Sequence, residues 1–227
     1  MEQNNVNNPK NEVVASKPSL FGIIWSPVEQ FEKIRNRPTI WIPLLIVTVI
    51  YVIGTYFSIS QMNYSELLGD AIPADQMEIV MTVSKIVGAV ASVFVPIIMI
   101  LISSALYLLV AKIAGSKVTY QQLLSMKTLI MLISAIGLIF NGLFNITINN
   151  ESDYTITSLA GVLGSDNVMF GSVELFTIWS VVLTAIGLQK TAQLSKGLSW
   201  TVSIAFYLIS LGYTYVSSII AGASGLY

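Results

Sequence analysis

Hydrophobic residues are concentrated in five long blocks, with short polar stretches between them. The blocks run from about 39 to 60, 86 to 111, 129 to 148, 173 to 188 and 200 to 221. A helix of about 20 apolar residues crosses the roughly 30 Å hydrocarbon core of a bilayer. The pattern therefore predicts an all-α protein, a polytopic helical membrane bundle with about five transmembrane helices. The fourth block is the shortest, and an earlier start near residue 168 would draw Glu174 towards the membrane interface.

A shorter amphipathic segment precedes the first block, between residues 19 and 38. The sequence Ser26-Pro27-Val28-Glu29 is typical of a helix start with a capping box, and Phe31 and Ile34 then fall on one face. Pro38 disfavours helical geometry in the residue before it, which ends the helix. Such a helix lies on the cytoplasmic membrane interface, or it packs against cytoplasmic loops of the same protein. The two arrangements are compatible, and the sequence leaves both open.

The chain divides into three parts on this interpretation. Residues 1–18 are polar and rich in Asn, without the apolar core of a signal peptide, and are predicted to form a disordered cytoplasmic tail. Residues 19–38 form the amphipathic interfacial segment. Residues 39–227 form the membrane domain.

Basic residues are distributed asymmetrically along the chain. Ten of the 11 lie before the first block, between the second and third, or between the fourth and fifth. These residues are Lys10, Lys17, Lys33, Arg35, Arg37, Lys112, Lys117, Lys127, Lys190 and Lys196. With five spans, all three segments fall on one side of the membrane, and Lys85 alone falls on the other. Because cytoplasmic segments are enriched in Lys and Arg, we expect a multi-pass cell-membrane protein with its N-terminus cytoplasmic and its C-terminus external.

Composition supports a membrane setting and narrows the possible chemistry. The chain is 54% hydrophobic and 10% charged, whereas a soluble domain carries about 25% charged residues. The absence of Cys and His removes disulfides, thiolate metal sites and the commonest catalytic base. No phosphate-binding glycine motif or carboxylate pair occurs, and the net charge of −1 gives no bias towards nucleic acid. We therefore expect a protein that is not an enzyme and that uses no cofactor or metal.

Four residues are candidates for polar or special roles within the spans. Asn141 and Asn145 lie four apart on the third predicted span and share a helix face, so they either bond a neighbouring helix or line a polar path. Pro96 removes a backbone donor in the second span and predicts a kink. Glu174 is either an interfacial carboxylate, touching headgroups or Lys85, or a functional one.

Three stretches resemble the Yip family of polytopic membrane proteins. They are residues 25–38 with the following Ile42-Pro43-Leu44, residues 115–125, and residues 179–189. The resemblance covers about residues 20–221 and is closest to the bacterial branch. It implies five spans with a cytoplasmic N-terminus, and a non-enzymatic component that associates with other membrane proteins. For the bacterial branch, it implies an ABC-type exporter as the partner; the GTPase contacts of eukaryotic relatives are not carried over.

Two functions are compatible with these features. The first is an accessory or assembly factor that binds the bilayer and a membrane-protein partner. Its candidate partner or lipid interface consists of Trp25, Phe31, Ile34, Arg35, Lys117 and Tyr120. The second is a small channel or transporter subunit with a polar path near Asn141 and Asn145. The oligomeric state is left open by the sequence.

The basic-residue distribution generates a topology prediction. Reporter proteins fused after Lys117 and after Lys196 will report a cytoplasmic location, because both positions follow basic segments. Fusions after Asn150 and after Tyr227 will report an external location. A cytoplasmic signal at Tyr227 would show that the number of spans is even.

Overall fold

The structure, a computed structural model, describes residues 16–60, 73, 75–148, 155–165 and 167–223, without the side chains of residues 60, 148 and 221–223. Most of the predicted N-terminal tail therefore lies outside the described residues. The described residues form these helices: α1 Gly22–Trp25, α2 Pro27–Asn36, α3 Trp41–Ser60, α4 Met77–Ile113, α5 Tyr120–Ile148, α6 Leu159–Leu163, α7 Val168–Ser172, α8 Leu175–Lys190 and α9 Lys196–Ala223. They contain no β-strand, so the all-α prediction is confirmed.

Four of these helices, α3, α4, α5 and α9, are long and apolar enough to cross a membrane. The helix α8 is apolar too, but its 16 residues extend over only about 24 Å. The prediction of a multi-pass helical membrane bundle is confirmed. The count of five spans, which depends on α8, stays a prediction, as does the three-part division of the chain.

Two helices begin nine residues earlier than the hydrophobic blocks predict. The helix α4 starts at Met77 instead of residue 86, and α5 starts at Tyr120 instead of residue 129. A capping box explains the start of α5: Thr119 Oγ1 accepts from the Gln122 amide at 3.3 Å, and Gln122 Oε1 accepts from the Thr119 amide at 2.8 Å. The loop predicted between the second and third spans is therefore helical over much of its length.

The helix α5 forms the centre of the bundle. It packs against α3, α4 and α8, and α9 packs against α8. More than half (56%) of its most apolar stretch is buried, compared with 17% for α3 and α4 and 6% for α9. Its completely or almost completely buried apolar residues include Leu123, Met126, Leu129, Ile130, Leu132 and Ile133. The outer helices instead expose apolar side chains, as expected where lipid is the solvent.

Pro96 is buried within α4, and the helix continues through it from Met77 to Ile113. The predicted kink stays a prediction.

The early start predicted for the fourth span is wrong, because α7 and α8 are separate helices. Glu174 interrupts them with extended backbone geometry (φ −124°, ψ 142°) and caps the N-terminus of α8.

Close approach of α5 and α8 depends on a glycine. A Cβ atom at Gly137 would lie 2.7 Å from Cγ of Phe176 on α8, which is much closer than van der Waals contact. The ring of Phe176 also packs on Phe140, with 5.9 Å between the centroids. A small residue at this position therefore lets the two helices touch.

We predict that Gly137→Ala destabilises the bundle by about 1–3 kcal/mol, because the added methyl group overpacks the contact with Phe176. Thermal unfolding in detergent, followed by circular dichroism, measures the effect. Gly212→Ala is the matched control, since Gly212 on α9 has open space where its Cβ would be. Equal melting temperatures for the two variants would contradict the prediction.

Candidate functional site

The first two patterned stretches of the sequence and the C-terminal end of the third meet at one end of the bundle. We call this region the basic end and define it as α2, the α4–α5 turn (residues 114–119), the α8–α9 turn (residues 191–195) and the lysines next to these turns, Lys112, Lys190 and Lys196. At this end α2 lies against the first turns of α5 and the last turn of α8. Segments that are far apart in the sequence thus form one continuous surface.

Hydrogen bonds fasten α2 and the residues after it to α5. Gln122 Nε2 donates to the Arg35 carbonyl at 2.6 Å. Ser125 Oγ donates to the Thr39 carbonyl at 2.8 Å and accepts from the Thr39 amide at 3.1 Å. These bonds satisfy backbone groups at the end of α2, where the helix itself no longer supplies partners.

A second set of bonds joins the two turns and α8 to the same surface. Thr191 Oγ1 donates to the carbonyl of Phe31 in the middle of α2, at 3.1 Å. Ser116 Oγ donates to the carbonyl of Ala192 at 2.6 Å, which links the α4–α5 turn to the α8–α9 turn. Together these contacts hold all three segments in one arrangement.

Phe31 and Ile34 anchor α2 in the protein core and are 0% exposed. A Cβ at Gly187 would lie 2.7 Å from Met126 Sδ and 3.3 Å from the ring of Phe31, so this glycine makes room for both side chains. The predicted lipid- or partner-facing role of Phe31 and Ile34 is therefore wrong. The helix does pack against its own protein, but on the helices α5 and α8 instead of the predicted loops.

The predicted capping box at the start of α2 is also wrong in detail. Pro27 is the first helical residue, but Ser26 makes no side-chain cap. Its hydroxyl instead donates to the Gly22 carbonyl at 3.3 Å and accepts from Gln30 Nε2 at 3.0 Å. The short helix α1 ends immediately before Ser26 and presents that carbonyl, while Glu29 pairs with Lys33 at 2.6 Å.

The basic end carries an excess of positive charge. Glu32 pairs with Lys190 at 2.9 Å, and the hydrogen bond and charge of this lysine lower the pKa of the exposed Glu32 carboxyl. Within the described part of the chain, Lys112, Lys117 and Lys196 form no ion pair. This surface thus retains uncompensated cations beside the helix ends.

Two clefts open on this surface and adjoin at Gln193. One, of about 320 Å³, is lined by Glu32, Arg35, Gln189, Lys190 and Gln193. The other, of about 510 Å³, is lined by Ala114, Gly115, Ser116, Lys117, Ala192, Gln193, Leu194, Ser195 and Leu198. Gln193 has a φ of 56°, in the left-handed region that non-glycine residues seldom adopt. The fold therefore holds a strained residue where the clefts meet.

Of the other predicted interface residues, Trp25 is 82% exposed at the end of α1, whereas its neighbour Ile23 is buried. Exposed Trp is typical of membrane–water interfaces. Tyr120, by contrast, is partly buried and donates from its hydroxyl to the Leu101 carbonyl on α4 at 3.1 Å. The structure therefore brings Arg35 and Lys117 to the basic end as surface residues, leaves Trp25 free, and uses Tyr120 to join helices.

The opposite end of the bundle is fastened by Asn141 and Glu174. Asn141 donates to the Gly137 carbonyl at 2.9 Å and accepts from the amide and hydroxyl of Thr157 at 3.3 and 2.9 Å. The hydroxyl of Thr157 also lies 2.6 Å from Glu174 Oε1, and Glu174 Oε2 accepts from the Thr177 amide at 2.8 Å. Asn145 lies one turn further along α5 and is half-buried. This geometry favours a structural role for Asn141, which joins α5 to Thr157, over a place in a polar path.

Sequence reasoning missed Thr157, Gly187 and Lys127. Thr157 gives no local signal, because its partners are 16 and 17 residues away. Gly187 lies in residues 179–189, whose pattern indicated a family resemblance but no packing role. Lys127 was assigned to a loop, but the capping box at Thr119 and Gln122 would have moved it into a helix.

A family model and a known relative both match most of this sequence. The Yip1 domain model matches residues 21–219. This chain belongs to the Yip1 family. The Yip1 match begins at the residue before α1 and ends within α9, so it includes α1 and α2 together with the bundle.

The chain is also 39% identical over 224 residues to membrane protein YknW of Bacillus subtilis (strain 168), which covers 95% of this chain and 97% of that protein. No solved structure matches the chain. The predicted resemblance to the Yip1 family is thus confirmed over nearly the whole sequence.

We predict that α2 stays seated on the bundle as a unit and that Gly187 is required for this. Because the chain has no Cys, one introduced cysteine is a unique label site. In purified protein, Ile34→Cys will react slowly with a maleimide, because residue 34 is buried, and Val28→Cys, which is 41% exposed, will react fast.

Adding Gly187→Leu will speed the labelling of Ile34→Cys, because the new side chain displaces Met126 and Phe31. The rate at Val28→Cys will stay unchanged. Equal rates at the two sites in otherwise unaltered protein would show that α2 is not seated.

Proposed function

We propose that this Yip1-family protein is a non-enzymatic accessory or assembly factor that binds another membrane protein through its basic end. The observation that carries the proposal is the convergence of three distant segments into one fastened, positively charged surface. In its most specific form, the proposal names an ABC-type export complex as the partner. The resemblance to the bacterial branch of the family supports that choice.

The organisation of the basic end supports a binding role. Its three segments are joined by side-chain bonds to backbone carbonyls, so little ordering is required when a partner docks. Lys117 and Lys196 retain charges without an acidic partner among the described residues. Such charges attract acidic protein surfaces or anionic lipid and speed the encounter with them.

The proposal places the basic end on the cytoplasmic side of a five-span protein. The excess of Lys and Arg there supports this orientation. The helix α8 packs between α5 and α9. It runs antiparallel to α5, because Gly137 meets Phe176 and Met126 meets Gly187, and this supports its role as the fourth of five spans. Its N-terminus is satisfied by Glu174 and its last residue is Lys190, so charged groups stand only at its two ends.

The absence of Cys and His from the sequence supports a role without catalysis. In this proposal the bilayer and a membrane protein are the binding partners, with no cofactor or metal. Trp25 and the exposed Phe21, which precedes α1, contact lipid headgroups, while Arg35 and Lys117 contact the partner.

Charge reversal tests the proposal. The double variant Arg35→Glu and Lys117→Glu will insert with unchanged orientation, because eight of the ten basic residues of these segments remain. Its capture of membrane-protein partners, cross-linked in cells and identified by mass spectrometry, will fall about tenfold or more. Raised salt will weaken capture by the unaltered protein, since the surface is exposed.

Lys85→Glu is the matched control, since Lys85 is an exposed residue of α4 far from the basic end. This variant will capture the partner normally. Unchanged capture by the double variant would exclude the basic end as the binding surface. Ion flux in liposomes that contain only the purified protein would replace the accessory function with that of a channel.

A further inference from the structure

Lys127 places a positive charge in the candidate membrane span α5, two residues before its most apolar block begins at about residue 129. It lies seven residues after the first residue, Tyr120, which is about 10 Å along the helix axis. Its neighbours Met126 and Leu129 are completely buried, and Lys127 itself is half-buried. A charged residue at such a position in a membrane helix is unfavourable unless it is paired, and it commonly marks a functional contact.

The described residues supply no counter-charge for Lys127. The ion pairs of this part of the chain use Lys33 and Lys190. The Nζ atom of Lys127 instead lies 5.4 Å from the ring centroid of Tyr107 on α4. That ring packs on Phe206 of α9, with 4.9 Å between centroids. A cation–π contact offsets only part of the penalty of withdrawing an ammonium group from water.

The depth of this group indicates what kind of anion reaches it. Tyr107 lies six residues, or about 9 Å, before the end of α4 at Ile113. Beyond Tyr107, Leu109 and Ile113 are 60% and 80% exposed, so the apolar lipid-facing surface continues past the level of the ammonium group. These side chains stand between the ammonium group and the end of α4, which makes a lipid phosphate the less favoured occupant. A carboxylate on a neighbouring membrane helix meets it at that depth.

The described membrane helices of a second copy of this chain do not supply that carboxylate. The sequences of α3, α5, α8 and α9 contain no Asp or Glu. In α4 the only acidic residue is Glu78, in the first turn at the far end of the helix. Glu29 and Glu32 at the basic end already form ion pairs. None of the described helices of a second copy therefore brings an acid to the depth of Lys127, which favours a different protein as its source.

We propose that Lys127 forms an intramembrane ion pair with an Asp or Glu on a membrane helix of a different protein, docked where α4, α5 and α9 meet at Tyr107. The inference rests on the proposed function and specifies the chemistry of the partner. The partner carries one acidic residue about two turns inside the end of a membrane helix that lies beside the basic end. Lys127 gives the complex a fixed depth and orientation.

The test uses the full-length protein reconstituted in phosphatidylcholine vesicles with a synthetic Leu/Ala membrane helix of about 20 residues. The peptide carries one Glu about two turns from each end, so that either orientation in the vesicle presents an acid. A second peptide carries Gln at the same positions. Energy transfer between labels on the protein and the peptide measures association.

The unaltered protein will associate with the Glu peptide about tenfold more strongly than with the Gln peptide. Lys127→Gln will remove this difference, and Lys127→Arg will keep it because the charge is kept. Lys112→Gln, at an exposed lysine in the last turn of α4, is the matched control and will also keep it. Circular dichroism establishes that each variant is folded.

Equal association of the Glu and Gln peptides with the unaltered protein would overturn the inference. So would a preference that disappears when phosphatidylglycerol is added to the vesicles, because the occupant would then be a lipid phosphate. Neither outcome bears on the charge-reversal experiment, which tests the basic end with Lys127 intact. Failure of this inference is therefore distinguishable from failure of the proposed function.

Discussion

The packing of Phe31 against Met126 and Gly187 is the contact on which the rest of the structure depends. It joins α2 to both α5 and α8 at a point where a side chain at Gly187 would separate them. Phe31 is completely buried, and its carbonyl accepts a hydrogen bond from Thr191, which joins α2 to the start of the α8–α9 turn. The basic end therefore exists as one surface only while this contact is made.

The two ends of the bundle are held in different ways, and the difference matches their proposed roles. At the basic end, side-chain hydroxyl and amide groups donate hydrogen bonds to backbone carbonyls. Several lysines there have no acidic partner among the described residues. At the other end, Asn141 and Glu174 direct their bonds to Thr157 and Thr177. One end is closed by its own polar groups, while the other presents charge to its surroundings.

The sequence predicted the helical bundle well, because 20-residue apolar blocks have few alternatives in a bilayer. It misplaced the start of α5, although the capping box at Thr119 and Gln122 was readable locally. The orientation of Phe31 was not readable, because periodicity reveals that a helix has an apolar face without revealing whether lipid or protein covers it. The role of Thr157 likewise depends on a chain reversal that brings it to Asn141.

The length of α4 has a consequence for the membrane itself. From Ile86 to Ile113 it exposes apolar side chains over about 40 Å, whereas a bilayer core is about 30 Å thick. This hydrophobic mismatch is relieved by tilting of the helix and by local thickening of the lipid around it, at a fraction of a kcal/mol per Å. The protein is therefore best accommodated in thicker regions of membrane, and a partner of similar hydrophobic length is concentrated beside it before any specific contact forms.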